Sequence, residues 1–113
     1  MKKDLEKRTK QFSLQIIKFT ASLPRTREAD VLGRQLLRAG TSIGANYREA
    51  NRGVSRADFV NKIGTVQKEA SETQYWLELF VESDILKTAP NALLIEATEL
   101  LEIFSAIGKK LKG

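Results

Sequence analysis

The sequence predicts an all-α fold, an antiparallel up-down-up-down four-helix bundle with two long central helices. Apolar residues recur at alternating steps of four and three in four separate segments, the spacing that lays one seam along a helix. No segment carries a strand signal. Short connections marked by Pro24, Gly53, Ser55 and Pro90 separate the segments, and short connections set successive helices antiparallel. At 113 residues, 42% hydrophobic and 29% charged, residues 1–113 read as one domain with a modest core. No internal repeat or low-complexity tract interrupts it.

The first helix is expected from about Asp4 to Ser22, with Leu5, Phe12, Ile16, Phe19 and Leu23 on one face. Pro24 disfavours helix at Leu23, and Thr26 is placed to cap the next helix, whose first turn holds Glu28 and Asp30 where the helix dipole favours acids. The second helix carries a seam of Leu32, Leu36, Ala39, Ile43, Asn46 and Ala50 and stops near Gly53. Asn46 is a polar residue on that seam. Its amide is expected to find a partner on another helix or on the backbone, as a structural polar core residue that trades stability for register.

Ser55 caps the third helix, with Asp58 at the capping-box position. Phe59, Ile63, Val66, Ala70, Thr73, Leu77 and Phe80 form its unbroken seam, while Val60, Tyr75, Trp76 and Leu79 add apolar surface outside it. Residues 84–89 form a connector. Pro90 suits a first helical turn, and Leu93, Ala97, Leu100, Phe104, Ile107 and Leu111 make the fourth seam. Gly108 and the lysine-rich tail behind it are expected to fray.

Chemistry is restricted by what the chain lacks. With no Cys and no His there is no disulfide, no thiol nucleophile, no Ser-His-Asp triad and no zinc site of the usual kind. A di-iron bundle needs Glu-x-x-His pairs, and no Walker-type or dinucleotide loop is present. The expectation is a non-enzyme without metal or cofactor, in which Glu49, Glu69 and Glu72 serve as exposed charges and inter-helix ion-pair partners. The charged N-terminus does not read as a secretory signal, and no run of about 18 apolar residues suggests a membrane span. The cytoplasm is the expected location.

The net charge of +5 is unevenly placed. Residues 1–56 hold thirteen Lys or Arg against five acids, a balance of +8, and residues 57–113 hold six against nine, a balance of −3. Such a split permits a basic face for nucleic acid or acidic lipid, but charge by itself favours the plainer reading, a solvated surface in which one half neutralises the other within or between subunits. Arg34, Arg38, Arg48 and Arg52 stand off the second seam, so they are expected to form a solvent-facing basic stripe, joined by Arg56, that contacts phosphates without reading sequence. Gly40 and Gly44 narrow the same helix. Each glycine costs a helix interior roughly 1 kcal/mol relative to alanine, which points to close approach of another backbone as compensation. The small-residue strip and the surplus apolar surface exceed what one small bundle buries, so Gly40, Gly44, Tyr75 and Trp76 are expected at a homo-oligomer contact, with Trp76 as its anchor.

The stretch Arg38-Ala39-Gly40-Thr41-Ser42-Ile43-Gly44-Ala45-Asn46-Tyr47-Arg48-Glu49-Ala50, with Arg56-Ala57-Asp58-Phe59 and Glu72-Thr73-Gln74-Tyr75-Trp76-Leu77, resembles the bacterial 23S ribosomal RNA intervening-sequence proteins, a four-helix bundle family. The likeness spans nearly the whole chain, and Ser42-Ile43-Gly44-Ala45-Asn46 is its most specific part. Family members typically carry Ile and Gly where this chain has Tyr47 and Asn51. The family is similar to the accessory protein of diversity-generating retroelements, a basic pentameric bundle that binds nucleic acid and a reverse transcriptase. The resemblance implies a homo-oligomer, a five-membered ring, without catalysis and with an RNA-, DNA- or protein-binding role. A structural or protein-partner scaffold using Tyr75 and Trp76, with no nucleic-acid role, is the alternative.

Overall fold

In the computed structural model, which describes residues 2–113, four helices follow one another: α1 (Lys2–Ala21), α2 (Arg27–Asn51), α3 (Arg56–Glu82) and α4 (Asn91–Lys112). No strand occurs among the described residues. The long axis measures 44 Å; α2 and α3, with 25 and 27 residues, run most of it at ~1.5 Å per residue.

The expected caps set the boundaries. Thr26 accepts a hydrogen bond from the Ala29 amide and Ser55 one from the Asp58 amide, each at 3.1 Å, with extended backbone at the capping residue. At the end of α3 the Ser83 amide donates to the Leu79 carbonyl, and Asp84 then takes a φ of 59°, the left-handed position that commonly follows a helix. Pro90 stands one residue before α4 rather than inside its first turn.

All four seams turn inward. Phe12, Ile16, Leu36, Ile43, Ile63, Leu77, Phe80, Leu100 and Phe104 are buried together. Phe19 meets Phe80 edge-on at 5.3 Å, and Tyr47 meets Phe104 at 5.1 Å, the arrangement that sets a positive ring edge against a negative ring face. Tyr47, off the seam read from sequence, is thus a core residue. Thr9 is fully buried as well, because its hydroxyl donates to the Leu5 and Glu6 carbonyls of its own helix and leaves no orphaned donor.

Each helix packs chiefly on its neighbours in chain order. The α1–α2, α2–α3 and α3–α4 contacts are extensive and the α1–α4 contact is slight. Arg8 supplies the polar tie there, donating from Nε to Glu96 at 2.7 Å and from Nη2 to Glu96 and Glu99 at 2.8 and 2.9 Å. The hydrogen bond to Glu96 is the main cause of a raised Arg8 pKa, against an opposing desolvation cost. A raised pKa keeps this contribution intact below the ordinary guanidinium range and lets it go only above that range, so the clasp is permanently charged near neutrality.

The C-terminal tail does not fray as expected. Helix α4 continues to Lys112, Gly108 is buried against the Gln67 amide group of α3, and Arg56 donates to the Leu111 carbonyl at 3.0 Å. Lys109, Lys110 and Lys112 lie in the last turn, where the helix dipole favours cations.

Candidate nucleic-acid interface

Close packing of α1 on α2 positions the candidate site. A Cβ placed on Gly44 would stand 3.3 Å from the Thr9 carbonyl carbon, carbonyl oxygen and Oγ1, and one placed on Gly40 3.0 Å from the Ile16 side chain. The close approach expected of these glycines is therefore made by α1 of the same chain. Their assignment to a subunit contact is corrected accordingly: Gly40 is buried and Gly44 half-buried beneath α1, because a helix without Cβ atoms on that line admits its neighbour's backbone.

That proximity brings two sets of cations together. Lys3, Lys7 and Lys10 stand on α1 at steps of four and three, one side of the helix. Arg48 lies four residues beyond Gly44 on α2, and all four side chains line one depression of about 400 Å³ with Glu6, Ser13, Gly44 and Ala45. Glu6 is the sole acid in that lining, and its carboxylate accepts a hydrogen bond from Asn51 Nδ2 at 2.8 Å. None of the four cations has an ion-pair partner among the described residues.

The continuous arginine stripe expected along α2 is broken up. Arg34 is exposed and pairs with Asp30 one turn back, at 3.2 Å. Arg38 reaches across to α3, with Nη1 3.2 Å from Glu69 and Nη2 2.5 Å from Glu72. Its pKa is raised, above all by the hydrogen bond to Glu72, so it too stays charged through the neutral range. Half exposed, such a pair contributes on the order of 1 kcal/mol or less, yet it occupies the guanidinium. Arg56 is held by the α4 terminus. Arg52 is exposed in a mixed-sign hollow with Glu49, Asp58 and Lys62, where Lys62 pairs with Glu49 at 3.0 Å. Only Arg48 of the expected five joins the lysine cluster. The clue in the sequence was the Lys3, Lys7, Lys10 row, which reading α2 by itself passed over.

Asn46 is half-buried, and its Nδ2 donates to the Ser42 carbonyl at 2.9 Å. The amide thus finds the second of its two expected kinds of partner, a backbone carbonyl, on its own helix. Tyr75 is 53% exposed, whereas Trp76 is half-buried against the core with its indole Nε1 shielded from solvent; the two rings meet at 5.2 Å. Trp76 therefore belongs first to the protomer, and Tyr75 is the accessible member of the pair. Among the described residues, no group of three or more carboxylates is placed to hold a metal ion, and no helix is long and apolar enough to cross a membrane.

Comparison with curated proteins yields no match. The model of the family described as 23S rRNA-intervening sequence protein matches residues 2–107. Among solved structures, the chain is similar to a protein with unknown function from the S23 ribosomal protein family of Bacteroides thetaiotaomicron VPI-5482. That crystal structure shares 37% sequence identity and a TM-score of 0.84, over 96% of this chain and 99% of the other. With a family match across nearly its whole length, the chain belongs to the 23S rRNA-intervening sequence protein family.

Proposed function

We propose that the protein is a non-catalytic, homo-oligomeric cytoplasmic bundle that holds RNA or DNA by its phosphates, through the depression lined by Lys3, Lys7, Lys10 and Arg48. The observation that carries this reading is four unpaired cations converging on one depression with a single carboxylate that is already hydrogen-bonded. No aromatic side chain lines it, so the contact is to the backbone and independent of base sequence. The lack of His and Cys supports the non-catalytic part. Five subunits is the number suggested by the likeness to retroelement accessory proteins.

A gel-shift titration tests the reading. Wild-type protein is expected to retain RNA or DNA at low salt. If all four cations meet phosphates, the affinity should fall with a log–log salt slope of about −3 to −4 per depression. Replacing Lys3, Lys7 and Arg48 by glutamate should abolish retention with the helical circular dichroism unchanged, because all three are exposed. Arg34→Glu, which disrupts only a local pair, should retain most of the binding. Wild-type protein that shifts neither RNA nor DNA would leave the protein-partner scaffold as the better reading.

A further inference from the structure

We infer that the nucleic acid is held as a single strand, which turns from the lysine-arginine depression over the adjoining end of the bundle to the last turn of α4. The inference rests on the nucleic-acid reading above and names the form of the strand and the rest of its path.

Four helix ends meet beside the depression. Asn51, the last residue of α2, donates to Glu6 of α1 at 2.8 Å, and Arg56, the first residue of α3, donates to the Leu111 carbonyl of α4 at 3.0 Å. Residues 52–55 alone join α2 to α3. The charge of the chain is gathered at this end. Residues 2–7, 48–62 and 105–113 hold ten Lys or Arg against four Asp or Glu, a balance of +6, so the rest of the chain carries −1 of the net +5. Two of those acids are already engaged, Glu49 by Lys62 and Glu6 by Asn51. Arg52 at the C-cap of α2 and Lys109, Lys110 and Lys112 in the last turn of α4 are exposed, and none has an ion-pair partner among the described residues. A polyanion leaving the depression therefore finds the largest excess of positive charge toward this end.

The corner selects the strand. The depression lies lengthwise on the flank of the bundle, since its α1 lining runs from Lys3 to Ser13, about 15 Å along the helix axis. The end face stands across that axis, on a body 22 by 21 Å in section. Duplex DNA, with a persistence length of about 150 base pairs, stays straight over such distances, so a duplex in the depression runs past the end face. A single strand bends between nucleotides and follows the corner. An anionic lipid surface is the other polyanion that a basic end attracts. It fits less well, because Val54, 94% exposed in the α2–α3 turn, is the one large apolar residue exposed at this end among the described residues, and a lone valine gives a membrane little to insert.

Fluorescence anisotropy is the test, with labelled RNA and DNA of about 16 nucleotides, the upper range of single-strand site sizes, each offered as an unstructured strand and as a duplex. Four cations in the depression and four beyond it should give the single strand a log–log salt slope of about −5 to −6, against about −3 to −4 for a duplex held in the depression alone. Lys109→Gln/Lys110→Gln/Lys112→Gln should make the single-strand slope shallower by about 2 and weaken its binding at least about tenfold, with duplex binding held within about twofold. Glutamine adds no acid to the end of α4, and circular dichroism checks that helicity is kept. Arg52→Gln, outside α4, should take a further step of about 0.7 off the single-strand slope. Unchanged single-strand affinity and slope in both variants, with wild-type protein binding, would overturn the path and leave the depression as the whole site. A duplex weakened as much as the strand would overturn the choice of a single strand. Wild-type protein that binds no nucleic acid would remove the nucleic-acid reading and this inference together, and its capture on phosphatidylserine vesicles would assign the basic end to lipid instead.

Discussion

Phe104→Ala is expected to lower the stability of the bundle by about 3–5 kcal/mol, the usual cost of emptying a buried phenylalanine site. Phe104 is fully buried, and its ring meets Tyr47 edge-on at 5.1 Å. Ala97, Leu100 and Gly108 are buried along the same face of α4. Neighbours on rigid helices cannot collapse into a ring-sized void. Against a total stability on the order of 0.05–0.15 kcal/mol per residue, such a loss removes a large share of the whole. Urea denaturation with an unchanged m-value measures it; a loss below about 1 kcal/mol would contradict the packing described for this layer. Tyr47→Phe, which keeps the ring, should cost far less.

Gly44→Leu is the second large effect. The added Cβ alone would stand 3.3 Å from the α1 backbone at Thr9, and backbone cannot move aside as the far end of a flexible side chain can. The rest of the leucine would push α1 outward, at a cost of about 1–3 kcal/mol or more. Gly44→Ala should be nearly neutral, since the gain in helix propensity of roughly 1 kcal/mol offsets a slight overlap. Gly64 is the control, because no neighbour lies within 4 Å of its Cβ position in mid-α3; Gly64→Ala should stabilise by about 0.5–1 kcal/mol. Separating α1 from α2 also pulls the lysine row away from Arg48. Gly44→Leu should therefore weaken nucleic-acid retention although no charge has changed, and undiminished retention in a destabilised Gly44→Leu protein would show that the two helices need not be close for binding.

How much of this was legible in the sequence depended on whether one helix sufficed to decide it. Caps, seams and helix ends are local, so Thr26, Ser55 and the heptad seam of α3 read correctly. Partners across helices are not local. Period correctly turned Arg38 toward solvent, but only the register of α2 on α3 sets Glu69 and Glu72 within its reach. The same limit applied to the glycines: their small size announced a close neighbour, but the neighbour proved to be α1 and not another subunit. Gly108 and three lysines looked like a loose end because their support, Gln67 and Arg56, comes from α3. Tyr47 and Asn51 have structural partners in Phe104 and Glu6, on other helices and so beyond the reach of a single-helix reading.

The sequential packing of the helices bears on how the chain reaches this structure. Because α1 packs chiefly on α2, α2 and α3 chiefly on each other and α4 chiefly on α3, most contacts join segments that adjoin in sequence, and each adjoining pair closes only a short loop. Low contact order of this kind belongs to bundles that fold in microseconds to milliseconds. The chain ends, tied through Arg8 and Glu96 at a separation of 88 residues, are the pairing expected to close last. Loop-closure entropy grows only logarithmically with separation, and the three preceding pairings shorten the effective loop further. The least extensive of the four helix contacts is thus also the one that asks the least of the chain when it forms.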